Sequence, residues 1–133
     1  MARVVGRFAP TPSGYLHLGN LFCSLIAWLA AKSQGGDIIL RNEDLDRERT
    51  RQEYVLQAQR DLDALGLFWD QGGEEGGPHA PYDQSQRFAF YRAQLAQLEA
   101  RGLCYPCFCS RAQLHAASAP HREDGLTVYP GAC

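Results

Sequence analysis

Three groups of residues in this chain of 133 residues carry more chemistry than folding alone requires. The first is the run Arg7-Phe8-Ala9-Pro10-Thr11-Pro12-Ser13-Gly14-Tyr15-Leu16-His17-Leu18-Gly19-Asn20. A loop of Pro, Thr, Ser and Gly between an apolar strand and an apolar helix forms an anion-binding corner, because unpaired N–H groups and the helix dipole converge there. His17 at the mouth of that corner adds a donor suited to phosphate oxygens. An ordinary strand-to-helix connection is the plainer alternative, yet two prolines, a glycine and a His-x-Gly exceed what such a connection needs. The second group is Arg7 with Glu43. A guanidinium fork recognises a carboxylate, and a carboxylate partners an α-ammonium group, so the two suit an amino-acid substrate. An ion pair at a sheet end is the competing explanation. The third group is Cys104, Cys107, Cys109 and Cys133, whose clustering at one end of the chain suggests a metal site rather than a disulfide framework.

These side chains need a frame that points them at one place. Residues 4–8 read as a strand, and residues 19 to about 34 as a helix ended by Gly35-Gly36. Residues 37–41 form a second strand with the continuous apolar run of a parallel strand covered on both faces. The result is an α/β fold built on a parallel βαβ unit, whose ligands bind beyond the carboxyl ends of the strands. Arg7 and Glu43 then stand at the ends of neighbouring strands. Thr50-x-x-Glu53 predicts a capping box opening a second helix, with Val55, Ala58, Leu62 and Leu65 on one stripe. Residues 72–78 read as a solvated, turn-rich loop. Ser85 is the predicted cap of a third helix carrying Phe88, Tyr91, Leu95 and Leu98 on one face, with Gly102 near its end. Beyond it the composition shifts to cysteine, proline and aromatics, which divides the chain into a nucleotide-binding portion (1–102) and a small metal-binding subdomain (103–133).

Composition narrows the function. The hydrophobic share is 45% and the charged share 21%, as in globular rather than disordered chains. A formal net charge of −2 excludes a broadly basic nucleic-acid binder and leaves room for local contacts to small anions. Met1-Ala2-Arg3 leads straight into a strand without a secretory signal, and the apolar stretch 21–31 is too short to span a bilayer. The expectation is a cytoplasmic protein with no membrane partner.

The run 7–20 resembles the HIGH-containing signature of class I aminoacyl-tRNA synthetases of the glutamate/glutamine branch, with His17-Leu18-Gly19-Asn20 in the HIGH place. Three further blocks follow in that branch's order: Leu40-Arg41-Asn42-Glu43-Asp44-Leu45-Asp46-Arg47, Leu65-Gly66-Leu67-Phe68-Trp69-Asp70, and the cysteine-rich end. Several such motifs in order are far more specific than one alone. Two departures stand out. Thr11 occupies a place where the family often has Ser, which keeps the hydroxyl, and Asn42 replaces a usual Ile.

The resemblance implies the N-terminal half of a class I Rossmann nucleotide-binding fold with a zinc-binding insertion. It implies that Arg7 binds a carboxylate of glutamate and Glu43 its amino group, with Phe8, Ala9, Pro10 and Thr11 lining the same site. It places Pro12, His17, Gly19 and Asn20 against ATP, with Mg2+ accompanying the nucleotide. The reaction is adenylate formation, in which His17 and Asn20 stabilise charge on the phosphate oxygens. For zinc it implies the ligands Cys107, Cys109, Tyr129 and Cys133. Spacing offers a rival all-thiolate set in which Cys104 replaces Tyr129, and His115 and His121 rank below both.

Finer features resemble the subfamily that transfers glutamate to the queuosine base at the wobble position of tRNA(Asp). These are Pro12-Ser13-Gly14, Glu43-Asp44-Leu45-Asp46, and the string from Cys107 through Pro120-His121 to Tyr129-Pro130-Gly131. A monomer acting on glutamate, ATP and queuosine-bearing tRNA(Asp) is expected. Glutamyl-tRNA synthetases that charge tRNA(Glu) share the main blocks, and a non-catalytic zinc-binding remnant or a nucleotidyltransferase are the remaining readings. No lysine-rich KMSKS-like loop and no second set of glutamate-binding residues is found. The chain is therefore expected to be an N-terminal fragment, inactive by itself in ATP–pyrophosphate exchange.

Overall fold

Alternating apolar residues and a small residue at one close approach explain the centre of the fold. A computed structural model describes residues 3–110, 112 and 113. Strand β1 (Val5–Phe8) and strand β2 (Asp37–Leu40) are parallel neighbours, paired from Val5 opposite Asp37 to Phe8 opposite Leu40. Helix α1 (Leu18–Lys32) connects them and packs back on the strands. Gly6 permits that packing, since a Cβ there would lie 2.7 Å from Ile38 Cδ1 and 3.1 Å from the Ala31 Cβ. The βαβ unit read from the sequence is therefore present.

Helix α2 (Gln52–Ala64) adds Ala58 and Leu62 to the interior. Phe8, Ala31, Ile38, Leu40, Leu62 and Leu67 form one buried cluster, with Trp28 and Trp69 packed against it. Trp28 keeps its indole N–H satisfied by donating to the Phe68 carbonyl at 3.1 Å. Asp70 ties the layers together. Its carboxylate accepts the Ile38 N–H at 2.6 Å and the Lys32 ammonium at 2.9 and 2.7 Å. Burial alone would raise that carboxyl, but the Lys32 ammonium and the Ile38 N–H outweigh it and hold it below the ordinary carboxylate range.

Several local expectations are corrected. The Thr50 capping box does not form: the cap of α2 is Arg51, without a side-chain bond, and the Thr50 hydroxyl is buried with no partner. A local turn and one tertiary tie decide this, because the Thr50 N–H donates to the Asp46 carbonyl at 2.8 Å and the Arg51 N–H to the Pro12 carbonyl at 3.2 Å. Leu65 lies past the end of α2 and is exposed, so its stripe stops at Leu62. Helix α3 (Phe88–Ala100) starts after a 3-10 turn at Gln84–Arg87, and Ser85 caps nothing there. No residue of α3 is buried, so the predicted Phe88, Tyr91, Leu95 and Leu98 face is not a core face.

The loop after residue 70 is also more ordered than its glycines suggest. Gln71 bridges to Ile39 in parallel, and its carbonyl accepts the Leu40 N–H at 2.8 Å. Gly72 is buried at φ +92°, where a Cβ would collide with the Leu40 carbonyl. The described residues fall into two compact units, parted within α3 after Arg92. Among the described residues, no helix is long and apolar enough to cross a membrane.

Candidate active site

The loop between β1 and α1 is held by its own carbonyls. Prolines cannot donate, but the Pro10 carbonyl accepts the Glu43 N–H at 2.9 Å and the Pro12 carbonyl accepts the Arg51 N–H at 3.2 Å. Pro12 itself is fully buried, and the Tyr15 ring meets the Tyr54 ring edge-on with centroids 5.0 Å apart. The loop is thereby fastened to the segment after β2 and to the start of α2. It encloses a cleft of about 480 Å³ at the carboxyl end of β1.

Arg7, Phe8, Ala9, Pro10, Thr11, His17 and Asn20 line that cleft. Pro12, Gly19 and Glu43 are not among its lining residues. Pro12 supports the loop from beneath, and Gly19 serves the helix start through its backbone. Ser13, Tyr15, Cys23 and Ser24 line the cleft as well, although their residue types alone gave no reason to single them out. Arg7 is exposed and makes no ion pair among the described residues. The ion-pair alternative of Arg7 with Glu43 is accordingly absent.

The start of α1 joins two of these residues. His17 is the N-cap, its Nδ1 accepting the Gly19 N–H at 3.1 Å, while Asn20 Oδ1 accepts the His17 N–H at 3.1 Å. This reciprocal cap satisfies donors that a helix N-terminus leaves unpaired. It also fixes the imidazole: in the neutral ring, accepting at Nδ1 leaves the proton on Nε2 as a donor. The Asn20 amide, accepting through oxygen, likewise retains its N–H donors. Two donors and the dipole of α1 meet at one edge of the cleft, an arrangement suited to an anion.

Glu43 has a partner that sequence reasoning missed. Its Oε1 accepts both Nε of Arg41, at 2.8 Å, and the Arg41 NH2 group. The signal was available, since residues two apart on an extended segment fall on the same side. The pair is half-exposed, so it is open to exchange with a solvent-borne cation.

Of the proposed metal ligands, Cys107 and Cys109 lie in the exposed, irregular segment after α3, as does Cys104. Tyr129 and Cys133, with His115 and His121, fall outside the described residues. Among the described residues, no group of three His, Cys, Asp or Glu side chains is placed to hold a metal ion.

A cleft at the carboxyl ends of parallel strands, edged by a capped helix N-terminus, defines an α/β protein of the ligand-binding type. Comparison with known proteins agrees. Residues 3–127 match the catalytic domain of class I tRNA synthetases (E and Q), and the chain belongs to that family. It is 59% identical to the glutamyl-Q tRNA(Asp) synthetase of Symbiobacterium thermophilum, over 96% of this chain and 40% of the relative. It is 47% identical to the glutamyl-Q tRNA(Asp) synthetase of Nitratidesulfovibrio vulgaris, with the same two shares, 96% and 40%. Among solved structures, a glutamate tRNA ligase from Elizabethkingia meningosepticum in complex with its amino acid superposes with a TM-score of 0.76 and 37% identity. That match covers 85% of this chain and 22% of the ligase. The chain thus spans about two fifths of the length of these curated relatives.

Proposed function

We propose that this chain carries the glutamate- and ATP-binding corner of a ligase that activates glutamate and transfers it to the queuosine base at the wobble position of tRNA(Asp). The observation that carries the reading is the cleft that gathers Arg7, Thr11, His17 and Asn20 at the N-terminus of α1. Arg7 supplies an unengaged guanidinium fork for a carboxylate of glutamate. Phe8, Ala9, Pro10 and Thr11 form the wall beside it. Glu43, backed against Pro10, takes the α-ammonium group, which displaces or shares its contact with Arg41.

ATP lies along the loop at Pro12 and across the start of α1. The α-carboxylate of glutamate attacks the α-phosphorus, forming glutamyl adenylate and releasing pyrophosphate. Nε2 of His17 and the Asn20 amide donate to the phosphate oxygens as charge accumulates there. Gly19 brings the helix N-terminus close because no side chain intervenes, and Mg2+ travels with the nucleotide. A hydroxyl of the acceptor then attacks the activated carbonyl and releases AMP.

Zinc is assigned a structural role. Thiolates are apt zinc ligands, and Cys107 and Cys109 lie in an exposed, irregular segment with one residue between them. They would hold the ion with Tyr129 and Cys133, or with Cys104 and Cys133 in the all-thiolate alternative. The protein acts in the cytoplasm as a monomer.

The acceptor is tested by incubating the full-length protein with ATP, radiolabelled glutamate and purified tRNA. Label on queuosine-containing tRNA(Asp), and none on the same tRNA lacking queuosine, is the expected result. Label on tRNA(Glu) instead establishes the glutamyl-tRNA ligase reading. No transfer to either, with zinc retained and neither glutamate nor ATP bound, establishes the non-catalytic module.

A further inference from the structure

Asn42 is 95% buried by the measure of its 5% exposure, an unusual setting for an amide. Its Nδ2 donates to Asp83 Oδ1 at 2.7 Å, across 41 residues of sequence. Its main-chain carbonyl accepts the Gln84 N–H at 3.1 Å. The next residue but one repeats the pattern, because Asp44 Oδ1 accepts the Ser85 N–H at 2.8 Å and its other oxygen takes the Ser85 hydroxyl. Between these two clasps stands Glu43, whose own N–H is committed to the Pro10 carbonyl at 2.9 Å. Glu43 is therefore pinned from one side by the motif loop and from the other by the segment before α3.

Stability alone does not account for the amide. Asn42 Oδ1 is buried without a partner, a desolvation cost that an apolar side chain would avoid. What an apolar side chain could not supply is the directed bond to Asp83. We infer that Asn42 is a positioning residue whose clasp on Asp83 holds Glu43 where it meets the amino group of glutamate. The inference rests on the assignment of Glu43 to glutamate made above. Asp83 is itself oriented, since its second oxygen accepts the Gln86 amide at 2.9 Å.

The polarity of the clasp gives it a distinctive test. Asn42→Asp preserves shape but sets two carboxylates face to face, which tolerate each other only while they share a proton. Asn42 and Asp83 line a second cleft that Asp44, Glu74 and Tyr82 also border; of the nearby guanidinium groups, Arg41 is engaged with Glu43 and Arg87 donates to the Pro81 carbonyl at 3.1 Å. Among the described residues no cation is paired with Asp83, whose two oxygens accept the Asn42 and Gln86 amides. Glutamate titrations followed by amide NMR on the chain would measure affinity at about pH 5 and about pH 8, each relative to wild type at that pH.

The expected result for Asn42→Asp is near-normal affinity at the lower pH and a loss of about tenfold at the higher, which corresponds to ~1.4 kcal/mol. The swap Asn42→Asp with Asp83→Asn restores one amide and one carboxylate, and should return affinity to wild type at both pH values even if the single variant melts early. Glu43→Ala serves as the reference and should weaken binding at both. If Glu43→Ala weakens binding while Asn42→Asp matches wild type throughout, the positioning role is overturned and the site assignment stands. If Glu43→Ala changes nothing, both are overturned.

Discussion

His17 caps α1, a role its sequence context did not reveal, beside the phosphate role proposed for it. A histidine before an apolar helix suggested a phosphate donor; the structure adds that its Nδ1 caps the helix and thereby presents Nε2–H outward. The two roles separate by substitution. Asn caps helices well but lacks the reach of an imidazole, whereas Ala does neither. His17→Ala should lower stability by about 1 kcal/mol and weaken ATP binding as well. His17→Asn should recover most of the melting temperature and none of the ATP affinity. Parallel melting curves and ATP titrations check this, and restored ATP binding in His17→Asn would show that only the cap matters. Arg7, His17 and Asn20 were legible because local spacing on one loop determines where they go. The Arg41–Glu43 pair was legible in principle from their i, i+2 placement. Asn42 and Asp83 were not, because no local rule links residues 41 apart.

At the scale of elements, the βαβ frame was readable because apolar runs and glycine stops mark its parts. The failures fell where tertiary contacts overrode local signals. Thr50 has the capping-box sequence, yet the Pro12 carbonyl takes the N–H of its neighbour Arg51 and draws the backbone into another path. Ser85 has a capping residue type, yet Asp44 claims both its N–H and its hydroxyl. The Asp70 knot between α1 and β2 yields a prediction of its own. Its carboxyl is held below the ordinary range, so its contribution is present above the unfolded value near ~3.9 and lost as pH falls through the lower folded one. Asp70→Asn should cost about 1 kcal/mol at neutral pH, discounted for partial exposure, and should flatten the decline in melting temperature on acidification. An unchanged acid limb would contradict the assignment. By contrast Leu62→Ala, which empties part of the buried cluster, should cost about 2–5 kcal/mol at any pH.

At the scale of the molecule, the described residues form one side of a cleft and leave apolar surface on α1 uncovered. Helix α1 is apolar on both faces: Ala31 is buried against the strands, while Leu18, Phe22, Leu25, Ile26 and Leu29 are exposed. Such a helix has the composition of one covered on both sides. Among the described residues the sheet has two parallel strands, few for a sheet of this type, and the relatives extend beyond the matched region. The central claim is that the cleft at the start of α1, with Glu43 beside it, receives glutamate and ATP. Its most direct test is to add both to the isotopically labelled chain and map the amide shifts. The account predicts that perturbations concentrate on Arg7, Thr11, His17, Gly19, Asn20 and Glu43. Perturbations confined to other surfaces, or none at saturating substrate, would contradict it.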